Sequence, residues 1–589
     1  MKSLLGTDNK ITLILKILTY LSLASLVGLI FWRVSDLSTL DLGRHLQNGA
    51  LVFKNPSLLF SNFYSYTNPG FPFVNHHWLA GLIYYGLYLL GGFKILTVFN
   101  VSLALATVLI FFWISQKRSH FFIAALSTLL TLIILSERAD IRPEMFSYLF
   151  LALTFYFLDN YRTDWSWRRL IWLPLLFLVW VNTHIYFAIG LALVAFKFLE
   201  LIIHKFNFKD NKKFFYLSGL SIVACLFNPN FIKGLLYPLL IFKNYGYEVA
   251  ENKSILFIQN LTLDHNIIWF KILFLIFCLS WFIYFWRFKK DRLKKFRFSD
   301  LMLSIFVSCL AWRAIRYLPL FSLLITPILA QNLSLIKFNK FKKINFGLSS
   351  GRLLSLGLSG LVIVSGILII YLVKDSKINH YFLRQDFGLG LSSGVLDSAN
   401  FFAAHNLSGP IFNDYDLGSF LIFALPGGKV FVDNSPEAYP REFFTDVYVP
   451  LQDNDAKWRE YKEKYKFQTI YLSHQDNTPW ARKFLRARLA DPDWSLVYFD
   501  YYTVILVPSA KQAGLSREEI RSRLEFLSRS VSARQKLVLA NLAELDGDIM
   551  SARQIYNDLL IEYPNSPRLL ALLYFNYVVS DSVGDKLMA

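Results

Sequence analysis

Residues 267–297 read IIWFKILFLIFCLSWFIYFWRFKKDRLKKFR. The first part, Ile267–Trp286, carries one charged side chain, Lys271, over a length that matches the roughly 20 apolar residues an α-helix needs to cross a bilayer. The second part, Arg287–Arg297, carries seven basic residues and one acid. An apolar run that stops at a basic loop reads as a crossing whose end lies in the cytoplasm.

Worked outward in both directions, the same alternation gives further crossings. They are Ile11–Trp32, Lys94–Ile114, His120–Leu135, Met145–Leu158, Leu170–Val181, Ile185–Ile203, Phe214–Phe227, Leu301–Trp312, Tyr317–Leu333 and Leu353–Leu372. The expectation is about eleven spans, several of them short. Lys2 and Lys10 put the amino terminus inside, and the loops Arg162–Arg169, Lys205–Lys213 and Lys337–Lys343 fall on the same side. One short apolar run, His77–Leu90, does not fit as a crossing, because it would expel the basic pair Lys117–Arg118. It is expected to lie along the outer surface. The first segment lacks the small-residue exit of a cleaved signal peptide.

Composition agrees. Hydrophobic residues make up 54% of the 589, charged residues only 17%, and mean hydropathy is +0.39. A soluble chain is about a quarter charged. The net charge of +19 sits in short loops and not on a basic stripe with interleaved aromatics, so no nucleic-acid partner is expected. Cys225, Cys278 and Cys309 all lie in apolar runs and read as buried small hydrophobes.

This topology gathers polar residues at one face. The first outer loop, 33–93, contains Asp41 and His45, four apart and so able to share a helix face, and later His76 and His77. A second group, Arg138, Asp140, Arg142 and Glu144, stands at the mouth of a span, with Pro143 suited to the first helical turn. Asn182 and His184 break a long apolar run, and Arg313 and Arg316 bound two later spans. Ordinary helix-end and loop chemistry explains each group singly. Together, a carboxylate can take a proton from an attacking hydroxyl, while arginines or an acid-held cation neutralise a phosphate.

Four pieces occur in order: Asp41-x-x-x-His45-Leu46-x-x-Gly49, Phe63-Tyr64-Ser65-Tyr66-Thr67, His76-x-Trp78-Leu79 and Arg142-Pro143. With Trp180-x-Asn182-x-His184 and Asn228-Pro229, they resemble bacterial polytopic glycosyltransferases of the GT-C superfamily, near the protein mannosyltransferase and aminoarabinose transferase branch. The resemblance covers about Thr12–Asn230. It implies inverting transfer of a sugar from a polyprenyl-phosphate donor to an acceptor outside the cytoplasm, at the plasma (inner) membrane. It makes Asp41 the essential acid, and gives Asp140 or Glu144 a part in holding the donor phosphate or a divalent cation such as Mg or Mn. A metal, if bound, would fall to Asp41 and Glu144. The chain departs from the family's pattern at Leu42 and Gly43, where an aromatic is usual, and at His77, where an acid is expected.

The expected architecture is a membrane region over 1–375, an extracytoplasmic α/β domain over 376–510 and a helical, tetratricopeptide-like tail over 511–589 that can pack on a protein partner. In the α/β part, Val395–His405, Leu417–Ala424, Asp455–Tyr465 and Trp480–Leu489 read as helices. Pro410–Asn413, Lys429–Asp433 and Thr469–Ser473 read as strands, and Trp494–Val507 as a hairpin. Asn413–Asp416 and Asp433-Asn434 fit turn chemistry better than a sugar site. Two other functions stay open: a non-catalytic assembly scaffold, and a transporter or flippase.

Overall fold

The computed structural model describes residues 2–38, 40–161, 166–204, 208–240, 243–260, 264–287, 296–336, 350–375, 386–476, 478–529, 532–564 and 566–579. The basic loop Lys337–Lys343 and most of Arg287–Arg297 lie outside them. Six helical stretches are long and apolar enough to cross a membrane: Lys10–Phe31, Trp78–Arg118, Phe121–Arg138, His265–Arg287, Ile315–Ser334 and Ser355–Lys374. The helices Glu144–Asp159, Trp172–Thr183, Phe187–Ile203, Phe208–Ala224 and Phe298–Arg313 are apolar but shorter. The chain is a multi-pass membrane protein.

The run expected to lie flat and the crossing after it form one helical stretch, Trp78–Arg118, broken at Gly91-Gly92. Gly92 sits at φ +62, where a side chain would strain the backbone, so the glycine lets the chain turn between the two parts. At one end of the bundle Arg118 binds Asp159 (2.6 Å) and Asp300 (2.9 Å). Glu200 accepts from the Ser299 amide (3.0 Å) and hydroxyl (2.7 Å) nearby. The opposite end carries the first loop and the α/β region.

That region holds a four-stranded sheet of β1 (Ile411–Asn413), β2 (Thr469–Leu472), β3 (Trp494–Phe499) and β4 (Val504–Pro508), ordered β1-β2-β4-β3. β1 and β2 are parallel and the other pairs antiparallel. Helices Asp397–Ala404, Gly418–Ala424, Asp455–Tyr465 and Pro479–Leu489 fall where the periodicity put them. Lys429–Asp433 is a correction, because it joins no strand of the sheet. Its backbone pairs instead with the first loop: the Val430 amide donates to Tyr64 O (3.0 Å), and the Tyr66 amide donates to Val430 O (3.1 Å). On its other side the Asn413 side chain acts as a surrogate strand, donating to Val432 O (2.8 Å) and accepting from Phe431 N (2.9 Å).

The Phe63–Thr67 motif therefore fastens the α/β region to the membrane region. Tyr66 donates its hydroxyl to Ile411 O (2.8 Å), and Thr67 donates to Phe431 O (2.9 Å). The loop helix Leu42–Leu51 packs on Gly418–Ala424 so closely that a Cβ on Gly43 would lie 2.4 Å from Ser419 O. Gly43, a departure from the family pattern, is thus a packing requirement of this chain. Four helices close the chain, Arg517–Arg529, Ala533–Leu545, Ile549–Glu562 and Pro567–Val579, each packed on the next.

Candidate active site

A cavity of about 560 Å³ opens between the helix ends and the α/β region. Asp41, His76, His77, Arg142, His184, Arg313 and Arg316, all singled out in the sequence, line it. Asp41 stands at the amino-terminal cap of the Leu42–Leu51 helix, where the positive end of the helix favours a carboxylate. One of its oxygens accepts from Asn434 Nδ2 of the α/β region.

Arg138 and Glu144 form the wall behind. Arg138 grips Glu144 with two bonds, Nε to Oε2 (2.8 Å) and Nη2 to Oε1 (2.6 Å), while Arg316 Nη2 reaches Oε1 at 3.2 Å. Glu251 completes the network by accepting from Arg138 and from Arg142 (3.3 Å). Burial alone would raise the Glu251 carboxyl, but Arg138, Arg316 and Arg142 hold it well below the usual carboxylate range. Asp140 lies 3.8 Å from Arg142 Nε and faces an adjoining cavity of about 240 Å³.

Asn182 is a correction to the outer-face set, because it does not line the cavity. Its amide donates to Leu178 O and Phe227 O (both 2.9 Å), and its oxygen accepts from Trp78 Nε1 (2.9 Å). It ties the end of its own helix to Trp78 and to Phe227, beyond the helix Phe208–Ala224. His45 lies under the cavity floor, 2% exposed, its ring edge-on to His77 at 5.2 Å. His77 in turn stacks on His184 at 5.3 Å and lies 3.8 Å from His76. Burial, reinforced by Arg44 and Arg316, pushes the His76 imidazole down to about 3, so that ring is neutral near pH 7.

The pair expected to hold a cation does not fit one. Both Glu144 oxygens are engaged by arginines, and an Asp41 oxygen is engaged by Asn434. Among the described residues no group of three or more His, Cys, Asp or Glu side chains is placed to bind a metal.

Sequence reasoning left out of the site Arg44, beside Asp41 in the first loop, and Glu251 and Glu437, and it assigned Asp416 and Asn434 to turns. Arg44 lines the cavity and lies 3.9 Å from Asp433. Glu251, Asp416, Asn434 and Glu437 line it too. Burial, with Asp476 and Asp41 nearby, pushes the Asp416 carboxyl up to about 7. The neighbouring Asp414 and Asp433 do serve as turn and cap acceptors, for the Leu417 and Ser435 amides (both 2.9 Å). Turn chemistry thus accounts for two of these acidic positions, while Asp416 and Asn434 belong to the cavity. No local signal separates the two kinds; only the fold does.

No family model matches the sequence. No curated protein matches it either. Solved structures do match in fold. The oligosaccharyltransferase of Archaeoglobus fulgidus in its apo form aligns with a TM-score of 0.52 at 12% identity, over 86% of this chain and 75% of that one. The same protein in complex with Zn and sulfate gives 0.53 at 12% identity, over 96% and 85%. The archaeal oligosaccharyltransferase AglB of that organism, in complex with an inhibitory peptide and a dolichol-phosphate, gives 0.50 at 12% identity, over 86% and 75%. This chain therefore shares the fold of those structures: a multi-pass helical membrane region with an α/β region over one end.

Proposed function

We propose that this protein is an inverting membrane glycosyltransferase that moves a sugar from a polyprenyl-phosphate donor to an acceptor outside the cytoplasm. The bacterial mannosyltransferase and aminoarabinose transferase branch is the one its motifs favour. One observation carries the reading: a single cavity holds Asp41 together with Arg142, Arg316 and Arg44. The likeness to an oligosaccharyltransferase structure that contains dolichol-phosphate and a peptide supports it.

In this reaction the acceptor hydroxyl attacks the anomeric carbon from the face opposite the phosphate. The new carbon–oxygen bond forms as the bond from sugar to phosphate oxygen breaks, and Asp41 accepts the hydroxyl proton. The polyprenyl phosphate leaves with its electron pair, and arginine N–H groups bind the charge that develops. The amino terminus is then cytoplasmic and the α/β region outside, with the four-helix tail free to meet a protein partner there.

The test is incubation of the purified full chain with radiolabelled polyprenyl-phosphate sugars, wild type against Asp41→Asn. Transfer or donor hydrolysis by the wild type and its loss in the variant is the expected result. A wild type that consumes no donor across a broad panel sinks the proposal. Reporter fusions after Lys213, Arg297 and Tyr371 should read inside, inside and outside.

A further inference from the structure

His184 ends the helix Trp172–Thr183 in an extended conformation, and with Ile185 it faces the cavity. Its Nδ1 points away from the cavity, to Ser147 Oγ at 2.9 Å. Trp180 Nε1, which can only donate, gives its hydrogen to the same Ser147 oxygen at 2.8 Å. Gly190 keeps that indole in place, because a Cβ there would lie 2.3 Å from the Trp180 ring.

This arrangement fixes the histidine tautomer. Were Nδ1 protonated, Ser147 would accept twice, and its own buried proton would have no acceptor among the described residues. The Tyr186 amide also points at Nδ1, at 3.4 Å, which asks for a lone pair there. Nδ1 is therefore the acceptor, and in the neutral ring the hydrogen sits on Nε2. That N–H makes no hydrogen bond to any described residue. Its charged neighbours are Glu144, Arg316 and Arg138, with His76 beside them.

We propose that His184, locked as the Nε2–H tautomer by Ser147 and Trp180, donates a hydrogen bond to the phosphate of the polyprenyl-phosphate donor and of the product that leaves. The inference rests on the reading of the site as a transferase. A neutral donor suits this position, since it adds a directed bond beside Arg316 without upsetting the charge balance of a wall whose arginines are already paired with carboxylates. His77, stacked on the same ring, holds its orientation.

The experiment measures binding of decaprenyl phosphate to the full chain in detergent, followed by ³¹P NMR, alongside transfer kinetics. Glutamine places an amide N–H near the Nε2 position, whereas asparagine reaches only the Nδ1 position. We expect His184→Asn to bind on the order of 10–100-fold more weakly, as for loss of a hydrogen bond to a charged group. His184→Gln should stay within about threefold of wild type, since that bond is kept. Should His184→Asn fail to fold, Ser147→Ala and ¹⁵N-histidine spectra of the wild type keep the question open to refutation. The serine variant should lose part of the affinity, and the spectra should show a neutral Nε2–H ring that shifts on adding decaprenyl phosphate. Equal binding by wild type and His184→Asn, or an Nδ1–H ring in the wild type, overturns the assignment while leaving the transferase reading intact. A wild type that does not bind decaprenyl phosphate overturns both.

Discussion

Glu144→Gln tests whether the arginine–carboxylate wall is the frame of the site. Glu144 receives three N–H bonds, two from Arg138 at 2.6 and 2.8 Å and one from Arg316 at 3.2 Å, and its side chain is only 5% exposed. Glutamine offers one carbonyl oxygen and turns an NH₂ group toward a guanidinium, so a donor meets a donor. Breaking a buried pair from one side costs about 3–5 kcal/mol, because it leaves a charge without compensation. Here Arg138 and Arg316 both keep Glu251 as a partner, which argues for the lower end, about 3 kcal/mol. At about 2 °C per kcal/mol for a large chain, thermal unfolding in detergent should fall by about 6 °C. A double-mutant comparison sharpens the test. Arg138→Met combined with Glu144→Leu removes both charges, and should be less damaging than Glu144→Leu alone. If Glu144→Gln melts within about 1 °C of wild type, a loss well under 1 kcal/mol, the wall is not the frame described here. A double variant no better than the single would refute the same reasoning.

Gly43→Ala places a Cβ 2.4 Å from Ser419 O, a backbone atom that can move only with its helix. It should cost about 1–3 kcal/mol and loosen the α/β region, seen as faster proteolysis between the membrane and α/β parts. Asp416 binds a proton in the folded protein up to about pH 7, far above its unfolded range. Wild-type stability from this group is therefore full below about pH 4 and is lost as pH rises through 7. Asp416→Asn does not titrate, so its melting temperature relative to wild type should climb between pH 5 and pH 8; a pH-independent difference refutes the shift. Decaprenyl phosphate affinity should change less than about threefold from low to high salt, because enclosed N–H donors are screened far less than exposed charges. A steep fall with salt would show that net surface charge does the binding.

The multi-pass character of the membrane region was legible because its signal is local: an apolar run declares itself within about 20 residues. The run read as lying flat, His77–Leu90, and the crossing after it belong to one helical stretch with a break at Gly91-Gly92. The α/β helices were legible for the same reason. Lys429–Asp433 was misread because its partners are the loop residues Tyr64 and Tyr66, hundreds of positions away, and a side chain, Asn413. Long-range pairing of this kind leaves no period in the sequence. Glu251 escaped, and Asp416 and Asn434 were assigned to turns, for the related reason that an acid or amide in a turn looks the same whether it caps an amide or faces a cavity. Asn182 shows the converse, a polar break whose bonds are spent on its own helix, on Trp78 and on Phe227, and not on the cavity.

The charges of the site explain why its cations do not act as a simple electrostatic trap. Arg138, Arg142 and Arg316 are balanced by Asp140, Glu144 and Glu251 within one bonded network. A phosphate entering the cavity meets little unbalanced charge from that wall, and what it meets instead are guanidinium N–H groups already aimed by their carboxylates. Preorganised donors of this kind favour the charge that develops as a bond breaks more than they favour capture from bulk water. For the proposed donor, whose lipid tail would confine it to the membrane, encounter needs no long-range steering. The same logic accounts for Asn434. A contact from the α/β region to Asp41 makes the orientation of the acid depend on that region being seated, so the outer layer is part of the site and not a cover over it.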